Sequence, residues 1–168
     1  MAEAGLLGIA VPEVHGGSGL GFLELALIVE EVGRTTAPIP LLETTVFAGL
    51  PIAAFGGESL RAAMLPALAR GERIGTAGLT EPEADPLAPT TRAEARGDGW
   101  RLTGCKLCVP AGQVAHFMLT PATLDSGDVA VFVVDLDARG VERTALGTTS
   151  GEPDALAAGK RRQHGRSE

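Results

Sequence analysis

Apolar and polar positions along the chain change rhythm once, close to residue 72. Before it the spacing is helical. Phe22, Leu25, Ala26, Val29 and Val32 recur every three or four residues, which marks one apolar face of a helix. Gly33 and the run Ala37-Pro38-Ile39-Pro40 stop that helix. A further apolar segment covers residues 41–55, with Pro51 as a kink or a start, and another covers residues 58–71, with Pro66 inside it. Upstream, residues 1–9 read as the end of a helix stopped by Gly5 and Gly8. The stretch VPEVHGGSGLG reads as a loop.

After Gly71 the alternation is that of strands. RIGTAGLT reads as a short buried strand. Gly97-Asp98-Gly99 separates two alternating runs, which predicts a hairpin. VAHFMLTPA and DVAVFVVDL are two more strands around the turn at residues 125–128, and GVERTAL is a last one. Short strands at this spacing predict a sandwich or barrel. The expected fold class is therefore α+β. A helical domain over residues 1–73 precedes a small antiparallel β-barrel or sandwich domain over residues 74–152. AAGKRRQHGRSE has neither periodicity nor apolar content, so residues 153–168 are expected to be a disordered basic tail.

Composition narrows the partners. The formal charge is −7, and before Lys160 there are ten basic residues against twenty acidic ones. An acidic body argues against nucleic acid as the main partner. No apolar run is long enough to span a bilayer, and no basic leader precedes an apolar stretch, so the expected compartment is the cytoplasm.

Most chemical motifs fail their structural requirements. Cys105 and Cys108 form a C-x-x-C, but zinc would need a second pair of ligands. A thioredoxin-type pair would need a helix start, whereas WRLTGCKLCVP reads as strand, where positions three apart point to opposite faces. The glycines of HGGSGLG lack the preceding strand of a dinucleotide fingerprint. His15, His116 and His164 show no cue of convergence, so no metal or catalytic histidine is assigned.

Three segments carry a resemblance. GLLGIAVPEVHGGSGLGFLELALIVEEVGR resembles the N-terminal region of flavin-dependent acyl-CoA dehydrogenases. GLTEPEADP resembles the Thr-Glu-Pro motif that opens their middle domain. GDGWRLTGCKLCVPAGQVAHFMLTPA resembles the hairpin that follows, with Trp100, Leu102, Gly104, Lys106 and Val109 at matching positions. The order and spacing are the family's, over about residues 5–150. The resemblance implies FAD as cofactor and α,β-dehydrogenation of an acyl-CoA thioester. In that reaction a carboxylate removes the α-proton and the β-hydrogen leaves as hydride. It implies that Thr80 hydrogen-bonds the flavin ring and Leu79 gives backbone contacts, with Val109 and Pro110 beside the ring. It also puts Ile39, Leu41 and Leu42 where the family builds part of its acyl pocket; ordinary core packing accounts for them equally well.

The chain departs from the family in three places. Glu83-Ala84-Asp85-Pro86 replaces small residues and a serine that contacts the flavin pyrophosphate, and a carboxylate there would repel it. Cys108-Val109-Pro110 replaces a Trp-Ile-Thr or Trp-Ile-Ser segment, and Pro110 has neither a hydroxyl nor an N–H. Nothing matches the family's C-terminal helical domain, the source of its catalytic base, so no catalytic residue is assigned. The resemblance therefore leads to three expectations: part of an acyl-CoA dehydrogenase that is inactive alone, a non-catalytic subunit that shares a flavin site with a catalytic chain, or the product of a truncated or frame-shifted gene. The expected partners are an acyl-CoA substrate and a partner acyl-CoA dehydrogenase subunit or a homo-oligomer.

Overall fold

The structure is a computed structural model that describes residues 3–163, except Pro86 and Asp98, and describes residues 160–163 by their backbone alone. The chain divides into two compact units that meet at Gly75 and Thr76.

The first unit is helical. Single 3-10 turns at Leu6–Gly8 and Glu13–His15 precede α1 (Phe22–Arg34). The expected helix end at residues 1–9 is thus a turn. The glycine loop is a packing device: a Cβ on Gly17 would collide with the carbonyl oxygens of Val11 and Gly8. Glu24 accepts the Gly21 N–H at 2.9 Å and closes the start of α1, and Thr35 caps its end by donating to Glu31 O at 2.8 Å. On the predicted face Leu25 is fully buried, Ala26, Val29 and Val32 are half-buried, and Phe22 is exposed.

Residues 41–55 are helical, but not uniformly so. Glu43–Gly49 is a π-helical segment that leads into α2 (Leu50–Phe55), and the Leu50 N–H reaches back five residues to Thr45 O. Pro51 explains the wider turn, because its ring would crowd the carbonyl four residues before it in a regular helix. α3 (Glu58–Ala69) runs through Pro66, which lies in its last turn. Leu25, Leu41, Ala48, Ile52, Leu65 and Leu68 are buried in this unit.

The second unit is one seven-stranded sheet curled into a half-barrel. Its strands are β1 (Gly75–Ala77), β2 (Arg92–Arg96), β3 (Gly99–Val109), β4 (Phe117–Leu124), β5 (Val129–Asp135), β6 (Val141–Ala145) and β7 (Ala155–Gln163). β2/β3 and β4/β5 are antiparallel hairpins in the expected positions. β2 also meets the end of β4 in a short parallel pairing at Arg92↔Thr123. Trp100 on β3 packs against Phe132 on β5, with ring centres 5.4 Å apart and ring planes tilted by 60°.

β7 corrects the expectation of a disordered tail from residue 153. Residues 155–163 pair antiparallel with β3 on one side and β6 on the other. Ala155 and Ala157 are buried, opposite Val109 and Lys106. The inward positions are small, so the strand carries a period of two without the large apolar residues by which periodicity is recognised. Its backbone takes up hydrogen-bonding groups of β3 that would otherwise lie on an open edge. The expected tail residues 164–168 lie outside the described residues.

A chain ending at Asp154 should therefore lose the cooperative thermal transition of its β-sheet signal by circular dichroism. An unchanged transition would show that β7 contributes nothing to the unit.

Candidate functional site

The Thr-Glu-Pro segment leaves β1 and runs alongside the end of β3. Thr76 Oγ1 donates to Pro110 O at 2.7 Å, and the Leu107 N–H donates to Thr80 O at 2.9 Å. Thr80 and Leu107 form an isolated antiparallel bridge, and the Thr76 side chain ties the same segment to Pro110, so Leu79 and Thr80 are brought beside residues 107–110. Leu79 is half exposed and Thr80 is exposed. Neither the Thr80 hydroxyl nor the Leu79 N–H has a hydrogen-bond partner among the described residues. The side chain of Val109 is fully buried, and Pro110 is half-buried with its carbonyl engaged by Thr76.

β3 carries a bulge at this end. Lys106 pairs with Ala157 and Val109 with Ala155, so one extra residue lies between them. Cys108 sits there at φ 46. The bulge lets Lys106 and Val109 both be buried although they are three residues apart. It also corrects the simple alternation applied to Cys105 and Cys108, since the period restarts between them. Both thiols are free, Cys105 half-buried and Cys108 exposed.

Beneath this track lies a buried ion pair. The Lys106 ammonium contacts the Glu81 carboxylate, each side chain only 2% exposed. Lys106 also donates to Pro121 O at 2.9 Å. The carboxylate accepts the N–H of Thr90 at 2.7 Å, the N–H of Thr91 at 3.0 Å and the Thr91 hydroxyl at 2.6 Å, together with the Thr90 hydroxyl. Burial pushes the Glu81 carboxyl up. The hydrogen bonds from Lys106, Thr90 and Thr91 and the lysine's charge outweigh burial and hold it at about 2.

The departures in the motif can be placed. Glu83 is exposed at φ 54. The Asp85 carboxylate accepts the Leu87 N–H at 2.8 Å, so its charge is tied inside its own loop. After Pro110 the chain makes a tight turn in which Ala111 O accepts the N–H groups of Val114 and Ala115. Arg143 clamps this turn, donating to Gly112 O, Gln113 O and Ala115 O at 3.1–3.4 Å while its other nitrogen meets Asp137 at 2.6 Å. In the helical unit Leu41 is buried core, whereas Ile39 and Leu42 are exposed. Among the described residues no cluster of three or more His, Cys, Asp or Glu could hold a metal ion.

Sequence reasoning gave no role to Glu81, Lys106 or Arg143. A lysine at a buried position of β3, in step with Leu102, is the one signal that could have pointed to a buried partner.

Comparison with known proteins decides the family. Residues 1–72 match the family model described as acyl-CoA dehydrogenase, N-terminal domain. The acyl-CoA dehydrogenase FadE27 of Mycobacterium tuberculosis is 38% identical over 149 residues, covering 89% of this chain and 39% of that protein. The two units are the N-terminal and middle domains of the acyl-CoA dehydrogenase family. The Tcur3481-Tcur3483 steroid ACAD, solved as its G363A variant, superposes with a TM-score of 0.87 at 40% identity, over 96% of this chain and 45% of that one. An acyl-CoA dehydrogenase from Bacillus anthracis, solved in complex with FAD, gives 0.86 at 28% identity, over 97% and 30%. The chain thus spans about two fifths of the length of this curated relative.

The geometry makes two predictions. Glu81 has a folded pKa near 2 against an ordinary 4.5, so it contributes roughly 3 kcal/mol of stability above pH 4.5, lost as pH falls toward 2. Glu81→Gln should flatten the decline of unfolding free energy across that window, measured by urea denaturation at each pH; an unchanged slope would remove Glu81 as its source. Ala111 sits at φ 52. Ala111→Gly should raise the unfolding free energy by about 1 kcal/mol; a loss would show that the left-handed backbone carries no strain there.

Proposed function

We propose that the β-sheet unit holds FAD at Leu79 and Thr80 and that the chain acts within an acyl-CoA dehydrogenase. The observation that carries the reading is the pair of open polar groups, the Thr80 hydroxyl and the Leu79 N–H, on an edge held in register by hydrogen bonds at Thr76 and Leu107. A hydroxyl both donates and accepts, as a flavin edge requires. The FAD-bound relative from Bacillus anthracis supports the cofactor. The residues present fit it in part. Thr80 and Leu79 supply polar contacts, the fully buried Val109 supports the edge from inside the sheet without reaching the cofactor, and Pro110 supplies no donor.

When bound, FAD supplies the two-electron acceptor for α,β-dehydrogenation of an acyl-CoA thioester. The chain's own part is to hold and orient the ring edge through Thr80 and Leu79. Ile39 and Leu42 are exposed apolar side chains suited to an acyl group, whereas Leu41 serves the core. No residue of the chain is assigned as the catalytic base. The likeness to the Tcur3481-Tcur3483 steroid ACAD favours a steroid-bearing acyl thioester, and a partner chain of the same family that completes the site. No helix among the described residues is long and apolar enough to cross a membrane.

The test is FAD titration of the purified chain, followed by flavin fluorescence, with desalting to measure retention. Thr80→Ala should weaken FAD binding by about fivefold, the worth of one net hydrogen bond. Unchanged affinity would remove Thr80 from the site. A folded chain that retains no FAD would overturn the flavin reading. Cys105→Ser with Cys108→Ser should leave retention as it is.

A further inference from the structure

We propose that Lys106 and Glu81 are positioning residues for the cofactor edge. Their buried contact holds Thr80 against Leu107, so that the polar groups of Leu79 and Thr80 stay outward. The inference rests on the flavin reading above and extends it to two residues that cannot touch the cofactor themselves.

The two charges flank the rung they would hold. Glu81 follows Thr80 directly, and Lys106 precedes Leu107 directly, while the Leu107 N–H donates to Thr80 O at 2.9 Å. Successive side chains of an extended segment point to opposite sides. Anchoring Glu81 inward therefore turns Thr80 outward. The same carboxylate grips Thr90 and Thr91. It thus fastens the loop at its exit and at its return into β2, and residues 82–89 cannot pull the edge out of register.

Gly78 completes the arrangement from the other side. A Cβ there would lie 3.0 Å from both Lys106 Cγ and Met118 Sδ, so the bare glycine lets the lysine stem pass directly under the residue before Leu79. Net stability alone does not account for the pair. Two charges moved out of water lose hydration that their attraction barely restores, and an apolar pair of like volume often serves as well. What an apolar pair cannot supply is a directional hold on Thr90, Thr91 and Pro121 together.

The experiment compares Lys106→Met, and Glu81→Gln in case the first fails to fold, with Val134→Ala, a buried β5 substitution beside the cavity that Lys106 also lines, which leaves both charges in place. Amide exchange at Leu107 and FAD affinity are measured on the full chain. The expected result is lost protection at Leu107 and FAD binding about fivefold weaker in the pair variants, as for loss of one positioned hydrogen bond. Val134→Ala should keep both properties even where its melting temperature falls as far. Pair variants that keep Leu107 protection and FAD affinity overturn the proposal, as does an equal loss in Val134→Ala. A parent chain that binds no FAD overturns the flavin reading instead, and Leu107 exchange then still decides whether the pair holds the edge.

Discussion

The β-sheet unit is organised around one buried carboxylate and one buried ammonium. A charge in a protein interior is tolerated only when its hydrogen-bonding capacity is filled. Glu81 takes donors from Lys106, Thr90 and Thr91, and Lys106 directs two of its three N–H donors to Glu81 and Pro121 O. These groups come from the segment after β1, from the start of β2, from β3 and from β4. Each of those segments must reach its place before any of the charges is satisfied. Gly104 shows how little slack remains, because a side chain there would run into Thr91, one of the carboxylate's donors.

Much of the architecture could be read from periodicity, because the elements in question bury one face against a core. Leu25 in α1 and the hairpins of β2/β3 and β4/β5 are of this kind. The features that escaped are those where the signal is not apolar volume. β7 buries alanines, which weigh little in any hydrophobic pattern. The π-helical segment Glu43–Gly49 depends on how the backbone accommodates Pro51, which a residue count cannot show. The bulge between Lys106 and Val109 shifts the alternation by one, and its cue would have been a lysine in phase with the apolar residues before it. In the candidate site, Thr80 was legible as part of a motif. The partnership of Glu81 with Lys106 joins residues 25 positions apart and needed the fold itself.

Left-handed backbone without glycine gathers around the same edge. Glu83, Cys108 and Ala111 all have φ between 46 and 54, where a Cβ crowds the following carbonyl. Such conformations persist when their surroundings over-determine them. Here the surroundings are visible: the bulge fixes Cys108, and the turn clamped by Arg143 fixes Ala111. Strain on both sides of Val109 and Pro110 makes this wall of the site stiff, and a stiff wall favours one orientation of whatever lies against it.

The place of β7 bears on the order in which the unit can be made. It follows both β3 and β6 in sequence, yet it lies between them in the sheet. Until residue 163 has left the ribosome, β3 waits with one edge exposed and β6 has no neighbour at all. Pairings such as Trp100↔Gln163 close a loop of more than sixty residues, which is the slow kind of contact in folding. During that wait β3 is a template for strands of other chains, so the growing polypeptide passes through a window in which self-association competes with completion of its own sheet.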